Sequence, residues 1–489
     1  MGKFAIIDIG SNTVRLVVYE NRARSPYMVF NEKVFCRLGR GVAATGHMID
    51  TSMNKAAKTL RRFSLLLKKM SIDDYRVIAT SAVRDANNSA VFIERVKNET
   101  GIIIEVIDGN EEARLSGYGV ICAIPHATGI IGDMGGGSLE LTMVHDKQVD
   151  HEISLPIGPL QFQDDMGVRL DGPNEKIDQH LASVEWLKNA RGRKFYAVGG
   201  AWRTLARIHM NEKKYPLINM HNYIIPVDEI MELAFRISKM GTVELEQYRP
   251  HISSKRIKMI SLAALALYKL LKVIKPCKFV VSAFGVREGI LYDGMDEEVR
   301  KLDPLITGCH QVAEMTGRFP GHGERLNDWI DVLFEDETPE HKRLRLAICI
   351  LCDVGWRGHP EYRADKVVLE ILYGRLSGIN HWGAALIAMA LYICYGGSEF
   401  NVPQVKTAKS LISNKDLQYA KKIGLALRLA QRISGGTSDG LKTAELKVTG
   451  EILSLNIETE MKDLVNEVVE KRLKKLAKFL DVKHEISSS

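Results

Sequence analysis

The chain has 489 residues, of which 45% are hydrophobic and 26% charged, and its formal net charge is +7. These values are those of an ordinary globular protein, and the length predicts several domains. Seven scattered cysteines exclude a secreted disulfide framework and indicate a reducing compartment, so we expect a cytoplasmic protein.

The first 130 residues alternate between two hydrophobic periods. Strands with period 2 are predicted at residues 4–9, 14–19, 28–36, 76–79 and 102–107. Helices with period 3.6 are predicted at residues 53–70, 90–100 and 110–122. Switching between the two periods is typical of an α/β domain, which we place at residues 1–125.

Residues 130–300 repeat this alternation. Strands are predicted at residues 130–133, 139–144, 150–155, 194–198 and 278–283, and helices at residues 201–209 and 254–274. The apolar part of the last helix, residues 259–274, is short and interrupted by Lys269 and Lys272, which favours a buried helix over a membrane span. We place a second α/β domain at residues 126–302.

Beyond residue 302 helical patterns dominate. The clearest lie at residues 344–351, 366–376, 382–395, 420–433 and 461–480, with one β-like stretch at 441–455. We expect a mostly helical region over residues 303–489, in one piece or in two subdomains, and frayed residues at 486–489. Cys349 and Cys352 lie within an apolar helical run, which favours buried small side chains over metal ligands.

The two α/β regions contain the same hairpin sequence. Residues 6–16 and 131–141 align without a gap, each with an apolar strand, an aspartate, a turn of small residues and a second apolar strand. An internal repeat predicts a duplicated architecture. Two such turns in one cleft would offer backbone N–H groups to phosphate oxygens and carboxylates to Mg²⁺, which indicates a phosphoryl-handling enzyme. The matched positions are Asp8 with Asp133, Gly10 with Gly135, Thr13 with Ser138, and Leu16 with Leu141.

Three further motifs lie near the ends of predicted strands. Gly199 and Gly200 separate a strand from a helix, where N–H groups can bind an anion, although a plain turn would look the same. Arg84 either binds phosphate oxygens or lies on the surface. Glu111 and Glu112 open a helix, either as partners of the helix dipole or as the base that hydrolysis needs to deprotonate water.

Together these motifs resemble those of the exopolyphosphatase and guanosine pentaphosphate phosphohydrolase (Ppx/GppA) family. The resemblance spans residues 6–290. It implies the actin-like (ASKHA) fold, with two ribonuclease-H-like α/β halves, followed here by an all-helical region. The matching segments, in order, are residues 7–13, 80–86, 109–114, 133–140, 198–200 and 282–289.

The resemblance also implies roles for individual residues. It makes Glu112 the catalytic base, leaves Glu111 as the less favoured member of the pair, and places Arg84 at the phosphate channel. The positions around Mg²⁺, or another divalent cation such as Mn²⁺, match Asp8, Asp133 and Glu140. The phosphate loops match Ser11, Asn12, Thr13, Gly135, Gly136, Gly137 and Ser138, to which we add Gly199 and Gly200.

The helical region resembles the HD-related C-terminal extension of longer family members. Cys352 stands before Asp353 where the histidine of a His-Asp doublet would be expected, which argues against a metal-dependent HD site. Basic residues nearby would line a polyanion path or a dimer surface, or form a solvated helix face. They are Lys342, Arg343, Arg345, Arg357 and His359. Because the region is large and helical, we expect a homodimer.

The resemblance implies a Mg²⁺-dependent exopolyphosphatase that releases orthophosphate from the end of inorganic polyphosphate. Within the family, the alternative is removal of the 5′ phosphate from guanosine pentaphosphate to give guanosine tetraphosphate, because both substrates end in the same phosphoanhydride. Outside the family, the alternatives on the same fold are an ATP-dependent kinase, a nucleotide switch and a non-enzymatic phosphate sensor. The positive net charge fits an acidic ligand. We expect no nucleic-acid or membrane partner.

Overall fold

The computed structural model describes residues 2–162, 172–249, 252, 254–319 and 321–488. The chain divides into two compact units, residues 1–302 and 303–489. Within the described ranges, no helix combines the length and the apolar character that crossing a bilayer requires.

The first unit begins with a five-stranded sheet. Its strands are β1 (Phe4–Ile9), β2 (Thr13–Tyr19), β3 (Met28–Phe35), β4 (Tyr75–Ala79) and β5 (Glu105–Val106). The accompanying helices are α1 (Val42–Thr45), α2 (Asp50–Lys69), α3 (Ser81–Arg84), α4 (Ser89–Thr100) and α5 (Gly109–Ala123). The order is β3-β2-β1-β4-β5, with β2 antiparallel to both neighbours and β1, β4 and β5 parallel. This is the arrangement of a ribonuclease-H-like sheet.

The second sheet repeats the first and adds one edge strand. Its strands are β6 (Gly129–Met134), β7 (Leu139–His145), β8 (Gln148–Leu155), β9 (Lys194–Val198), β10 (Tyr223–Ile225) and β11 (Lys278–Val281). The helices are α6 (Pro173–Ala182), α7 (Gly200–Glu212), α8 (Val227–Lys239), α9 (Thr242–Leu245), α10 (Ser254–Ile274), α11 (Val286–Asp293) and α12 (Glu297–Lys301). Without β10, the order β8-β7-β6-β9-β11 matches the first sheet. The duplicated, actin-like α/β prediction is confirmed.

Helices α5 and α11 cross very closely between the two sheets. A Cβ on Gly289 would lie 1.8 Å from the carbonyl oxygen of Leu115, and one on Gly119 would lie 2.1 Å from that of Gly285, so both glycines are required. Apolar side chains of both sheets and both helices share one core, which includes Ile6, Ile78, Leu115, Ile131, Val280 and Leu291. This crossing fixes the start of α5 relative to the start of α11.

The second unit is mostly helical. Its helices are α13 (Pro304–Thr316), α14 (His322–Ile330), α15 (Pro339–Leu351), α16 (Arg363–Leu372), α17 (His381–Cys394), α18 (Pro403–Ser410), α19 (Asn414–Ser434), α20 (Ser438–Lys442) and α21 (Glu467–Leu480). The strands are β12 (Ala444–Thr449), β13 (Ile452–Ile457) and β14 (Lys483–Ser488). Since β14 pairs in parallel with β13, the expected fraying of residues 486–488 is wrong; residue 489 lies outside the described residues.

Two of the basic residues singled out in the second unit serve internal ion pairs. Arg345 is fully buried and contacts Glu337 at 2.8 Å, and Arg343 contacts Asp303 at 2.6 Å. Neither guanidinium is therefore available to line a polyanion path. The exposed side chains of Lys342, Arg357 and His359 are compatible with the solvated face that was the alternative.

The Cys-Asp doublet is also part of an internal network. Cys352 is buried and accepts a hydrogen bond from Gln431 at 3.0 Å, and Asp353 forms an ion pair with Arg318 at 2.7 Å. Cys349 is buried as expected. Burial raises the pKa of Cys352 well above its usual range, so the thiol stays neutral, in keeping with the expected small hydrophobic role.

Candidate active site

The two predicted hairpins have the same turn geometry. In each turn a glycine N–H donates to a carbonyl at 3.0 Å, from Gly10 to Thr13 and from Gly135 to Ser138. The turns approach each other so closely that a Cβ on Gly136 would lie 3.2 Å from the Cβ of Ser11. Small residues are therefore needed because the two turns converge, as the repeat predicted.

A cavity of about 200 Å³ opens where the turns converge, and four carboxylates line it. Asp8 and Asp133 stand at equivalent places on β1 and β6. Glu140 lies on β7 directly opposite Asp133 in the strand register, and Glu112 projects from the first turn of α5. The hairpin repeat and the start of α5 thus bring all four acids to one cavity.

Burial and mutual repulsion disfavour the charged forms of three of these acids, Glu112, Asp133 and Glu140. Burial, and then repulsion from Asp133, raise the pKa of Glu140 to about 7. Burial and then the neighbouring Glu140 carboxylate raise the pKa of Glu112 well above its usual range. The pKa of Asp133 is also raised by burial, although a hydrogen bond from Ser116 at 2.8 Å opposes this. A bound cation or a proton would therefore stabilise these three side chains.

Five cations also line the cavity. They are Arg15, Lys33, Arg203, Arg256 and Arg287. Arg287 donates to Asp8 at 2.7 Å, while its buried Nε–H has no hydrogen-bond partner among the described residues. An unsatisfied buried donor at a cavity wall is costly, and an anionic ligand oxygen would satisfy it.

Burial and repulsion between neighbouring cations lower the pKa values of Arg203 and Lys33. Burial, and then repulsion from Arg287, lower the pKa of Arg203 to about 10. Lys33 stands exposed at the rim; loss of hydration along its stem and then repulsion from Arg256 lower its pKa to about 8. Arg256 packs against the start of α7, where a Cβ on Gly200 would lie 2.7 Å from its guanidinium. A polyanion in the cavity would relieve this repulsion.

Most of the residues singled out in the sequence lie in the cavity wall. Besides Glu112 and the three metal candidates, the lining includes Ser11, Asn12, Thr13, Gly135, Gly136, Gly199 and Gly200. Four others are not in the lining: Arg84, Glu111, Gly137 and Ser138.

These four residues have other contacts. Arg84 donates to Glu112 at 3.2 Å, so it orients that carboxylate instead of lining the channel. Glu111 is engaged by Arg114 at 2.8 Å. Gly137 faces α3, where an added Cβ would lie 2.9 Å from the Ser81 hydroxyl, and Ser138 forms a hydrogen bond with the Glu140 carboxylate.

The cavity offers few ligands for a divalent metal. In the described part of the chain, no three His, Cys, Asp or Glu side chains converge as a metal cluster. Mg²⁺ is commonly held by one or two carboxylates with water and substrate phosphates completing its shell. Asp133 and Glu140, opposite each other and both short of compensating charge, fit that limited role, whereas Asp8 is already paired with Arg287.

The cationic wall was missed in the sequence. Arg15 aligns with Glu140 in the hairpin repeat, which was a usable signal, because a charge reversal at a repeated position needs a reason. Arg203 and Arg287 lie inside motifs already singled out, but they received no role. For Lys33 and Arg256 no sequence signal pointed to the cavity.

A duplicated actin-like fold with carboxylates and arginines around one small cavity defines an enzyme that acts on phosphate groups. The sequence of residues 17–298 matches the model of the Ppx/GppA phosphatase family, and residues 305–486 match that of the exopolyphosphatase C-terminal domain. The chain therefore belongs to the Ppx/GppA phosphatase family. The predicted family and the prediction of a phosphoanhydride hydrolase are confirmed.

Individual relatives agree with this assignment. Exopolyphosphatase 1 of Mycobacterium tuberculosis is 26% identical over 309 residues, which are 60% of this chain and 89% of that protein. Retrograde regulation protein 2 of Saccharomyces cerevisiae is 24% identical over 444 residues, 82% of this chain and 73% of that protein.

Solved structures show the same fold. An exopolyphosphatase from Cytophaga hutchinsonii superposes with a TM-score of 0.54 at 25% identity, covering 60% of this chain and 99% of that one. The Aquifex aeolicus member of the Ppx/GppA family gives a TM-score of 0.51 at 26% identity, with 60% and 97% covered.

Proposed function

We propose that the protein is an exopolyphosphatase that hydrolyses the terminal phosphoanhydride of inorganic polyphosphate and releases orthophosphate. One observation carries the proposal: a single cavity is lined by four carboxylates and five cations. Hydrolysis of a polyanion needs a base for water and positive charge for the chain. Relatives named exopolyphosphatase support the same activity.

The cationic wall binds the substrate chain. Arg287 offers its unpartnered Nε–H, and Arg15, Arg203 and Arg256 supply guanidinium groups that suit phosphate oxygens. The convergent turns add backbone N–H groups near the terminal phosphate. Together these groups stabilise the charge on the phosphoryl oxygens in the transition state.

Glu112 is the general base in this proposal. Its carboxylate is buried, and its raised pKa makes the deprotonated form a stronger base for the attacking water. Arg84 holds the carboxylate at 3.2 Å and thereby positions it. Glu111 does not line the cavity, which separates the two adjacent acids.

We include Mg²⁺, or a similar divalent cation, near Asp133 and Glu140. Hard oxygen donors suit such a cation, and the repulsion between these buried carboxylates favours one. When bound, it would neutralise charge on the phosphate oxygens of the substrate.

The lining favours a phosphate chain over a nucleoside. Phe35 is the one aromatic side chain among the described lining residues, against five cations. Guanosine pentaphosphate has the same terminal bond but also a base, which would gain little from this wall.

The test is a comparison of substrates. Initial rates of orthophosphate release are measured with Mg²⁺ from long-chain polyphosphate, guanosine pentaphosphate and ATP. We expect kcat/KM for polyphosphate to exceed the other two by roughly tenfold or more, since each extra phosphate contact adds about 1 kcal/mol or more. A preference for guanosine pentaphosphate would assign the other activity of the family, and no release from any substrate would refute hydrolysis.

A further inference from the structure

A second concave site lies in the first unit, away from the catalytic cavity. It is a groove of about 500 Å³ between α6, α8 and α10, and it shares no lining residue with the catalytic cavity. Its volume lies in the range of small-ligand sites. Nothing in the proposed hydrolysis uses it.

Aromatic rings form part of the groove wall. Phe235 on α8 and Tyr268 on α10 lie 5.1 Å apart between ring centroids. The Phe235 side chain remains 45% exposed, which is unusual for a large apolar ring that could pack into the nearby core. An exposed ring in a groove is a stacking surface for a planar ligand.

The charges of the groove are strongly positive. Five cations line it: Lys188, Arg191, Lys239, Lys269 and Lys272. Among the described lining residues Asp178 is the one acid, and it is paired with Lys269. Lys239 lies 5.6 Å from the Phe235 ring centroid, and Lys272 lies 5.5 Å from that of Tyr268. The free ammonium groups are therefore beside the stacking surface.

We propose that this groove binds a nucleoside polyphosphate, with the base on Phe235 and Tyr268 and the phosphates on the surrounding lysines. A planar ring and several negative charges joined in one small molecule match the two features of the groove. Inorganic polyphosphate would use the lysines but leave the rings unused, and an apolar ligand would leave the lysines unused. The site makes this hydrolase able to sense a nucleotide outside its catalytic cavity.

Photolabelling locates the ligand directly. The full-length protein is irradiated with 8-azido-ATP, and labelled peptides are mapped. We expect label on α8 and on residues 265–273 of α10, because residues 256–260 of that helix line the catalytic cavity. We also expect protection by ATP and roughly tenfold weaker protection by tripolyphosphate, which lacks the base. Label confined to peptides that carry Lys33 or Arg203 would place the nucleotide in the catalytic cavity and overturn the proposal.

Variants separate the two features of the groove. Phe235→Ala is expected to lower labelling about tenfold, because stacking is lost from an exposed ring whose removal leaves the core intact. Lys239→Gln combined with Lys272→Gln is expected to have a similar effect. Tyr27→Ala, which truncates another exposed aromatic, and Lys97→Gln are the matched controls and leave labelling unchanged.

Two results would refute the assignment: labelling that survives the groove variants, and tripolyphosphate that protects as well as ATP, since the site would then recognise phosphate alone. Hydrolysis of polyphosphate by Phe235→Ala is expected to equal that of the wild type. Failure of the nucleotide proposal is thus separable from failure of the hydrolase proposal.

Discussion

The two hairpins of the first unit share a backbone and differ in charge. Their turns have the same hydrogen bond at the same length, and in each an aspartate faces a charged residue across the strand pair. That residue is Arg15 opposite Asp8 and Glu140 opposite Asp133. Because the backbone alone maintains the turn, the side chains were free to diverge. We propose that the cleft uses this asymmetry, with cations that bind the substrate and carboxylates that act on it.

The two aspartates consequently have different surroundings. Asp8 is in direct contact with Arg287 at 2.7 Å, whereas Asp133 accepts a hydrogen bond from the neutral Ser116 hydroxyl, and its attraction to Arg203 and Arg287 does not offset the effect of burial on its pKa. We therefore expect the first aspartate to organise the cationic wall and the second to leave negative charge for a cation.

The largest effect is expected for the proposed base. Glu112→Gln keeps the shape but cannot accept a proton, so kcat for polyphosphate should fall by about 10³-fold. The adjacent Glu111→Gln is the control, and its kcat should stay within about threefold, because Glu111 does not line the cavity. Equal losses of kcat in both variants would show that Glu112 is not the catalytic base.

Asparagine variants of the two aspartates should differ in their free energy of unfolding. Asp8→Asn leaves the Arg287 guanidinium buried without its partner, so the free energy of unfolding should fall by about 2 kcal/mol. Asp133→Asn removes a repelled buried charge and should be neutral or stabilising in the absence of ligand. Urea unfolding of both variants checks this, and a larger loss for Asp133→Asn would reverse the contrast.

The cationic wall should control binding. Arg203→Gln is expected to raise KM for polyphosphate about tenfold, with kcat within about threefold, since a guanidinium–phosphate contact is lost. The same helix offers Arg207→Gln as a control, because Arg207 is exposed and does not line the cavity. A fall in kcat without a change in KM would contradict a binding role.

The smallest effect is expected from pH. Lys33, with its pKa lowered to about 8, is charged below that pH and neutral above it. Polyphosphate favours the charged form and raises this pKa on binding, so affinity should weaken by about threefold to fivefold between pH 8 and pH 10. In Lys33→Arg the guanidinium keeps its charge, and that part of the pH dependence should disappear. If affinity depended on pH in the same way in both proteins, Lys33 would be excluded as the titrating group.

Much of the fold could be predicted because the hairpin repeat is local. β1 has the predicted bounds, and β2 and β7 differ from prediction by one residue at one end. β14 was missed because its residues are polar and terminal, and only pairing with β13 defines it as a strand. β5 is shorter than expected, Glu105–Val106 within the predicted residues 102–107.

The site was predictable where motifs carried it. The four carboxylates and both turns were found, since each lies in the hairpin repeat or in the Glu-Glu motif at the start of α5. The cationic wall was not, because Lys33 and Arg256 come from different halves of the unit and meet only through tertiary folding. Arg84 was found, but its contact with Glu112 depends on the α3–α5 geometry that the sequence does not show.

Kinetics of the matched hairpin pair test the central claim most directly. Arg15→Gln and Glu140→Gln change the two residues that occupy the same place in the repeat, and kcat and KM for polyphosphate are measured for each. We predict that Arg15→Gln raises KM about fivefold with kcat little changed, and that Glu140→Gln lowers kcat about 10²-fold with KM little changed. If both variants altered the same parameter to the same extent, the division of the cleft into a binding side and a chemical side would be wrong.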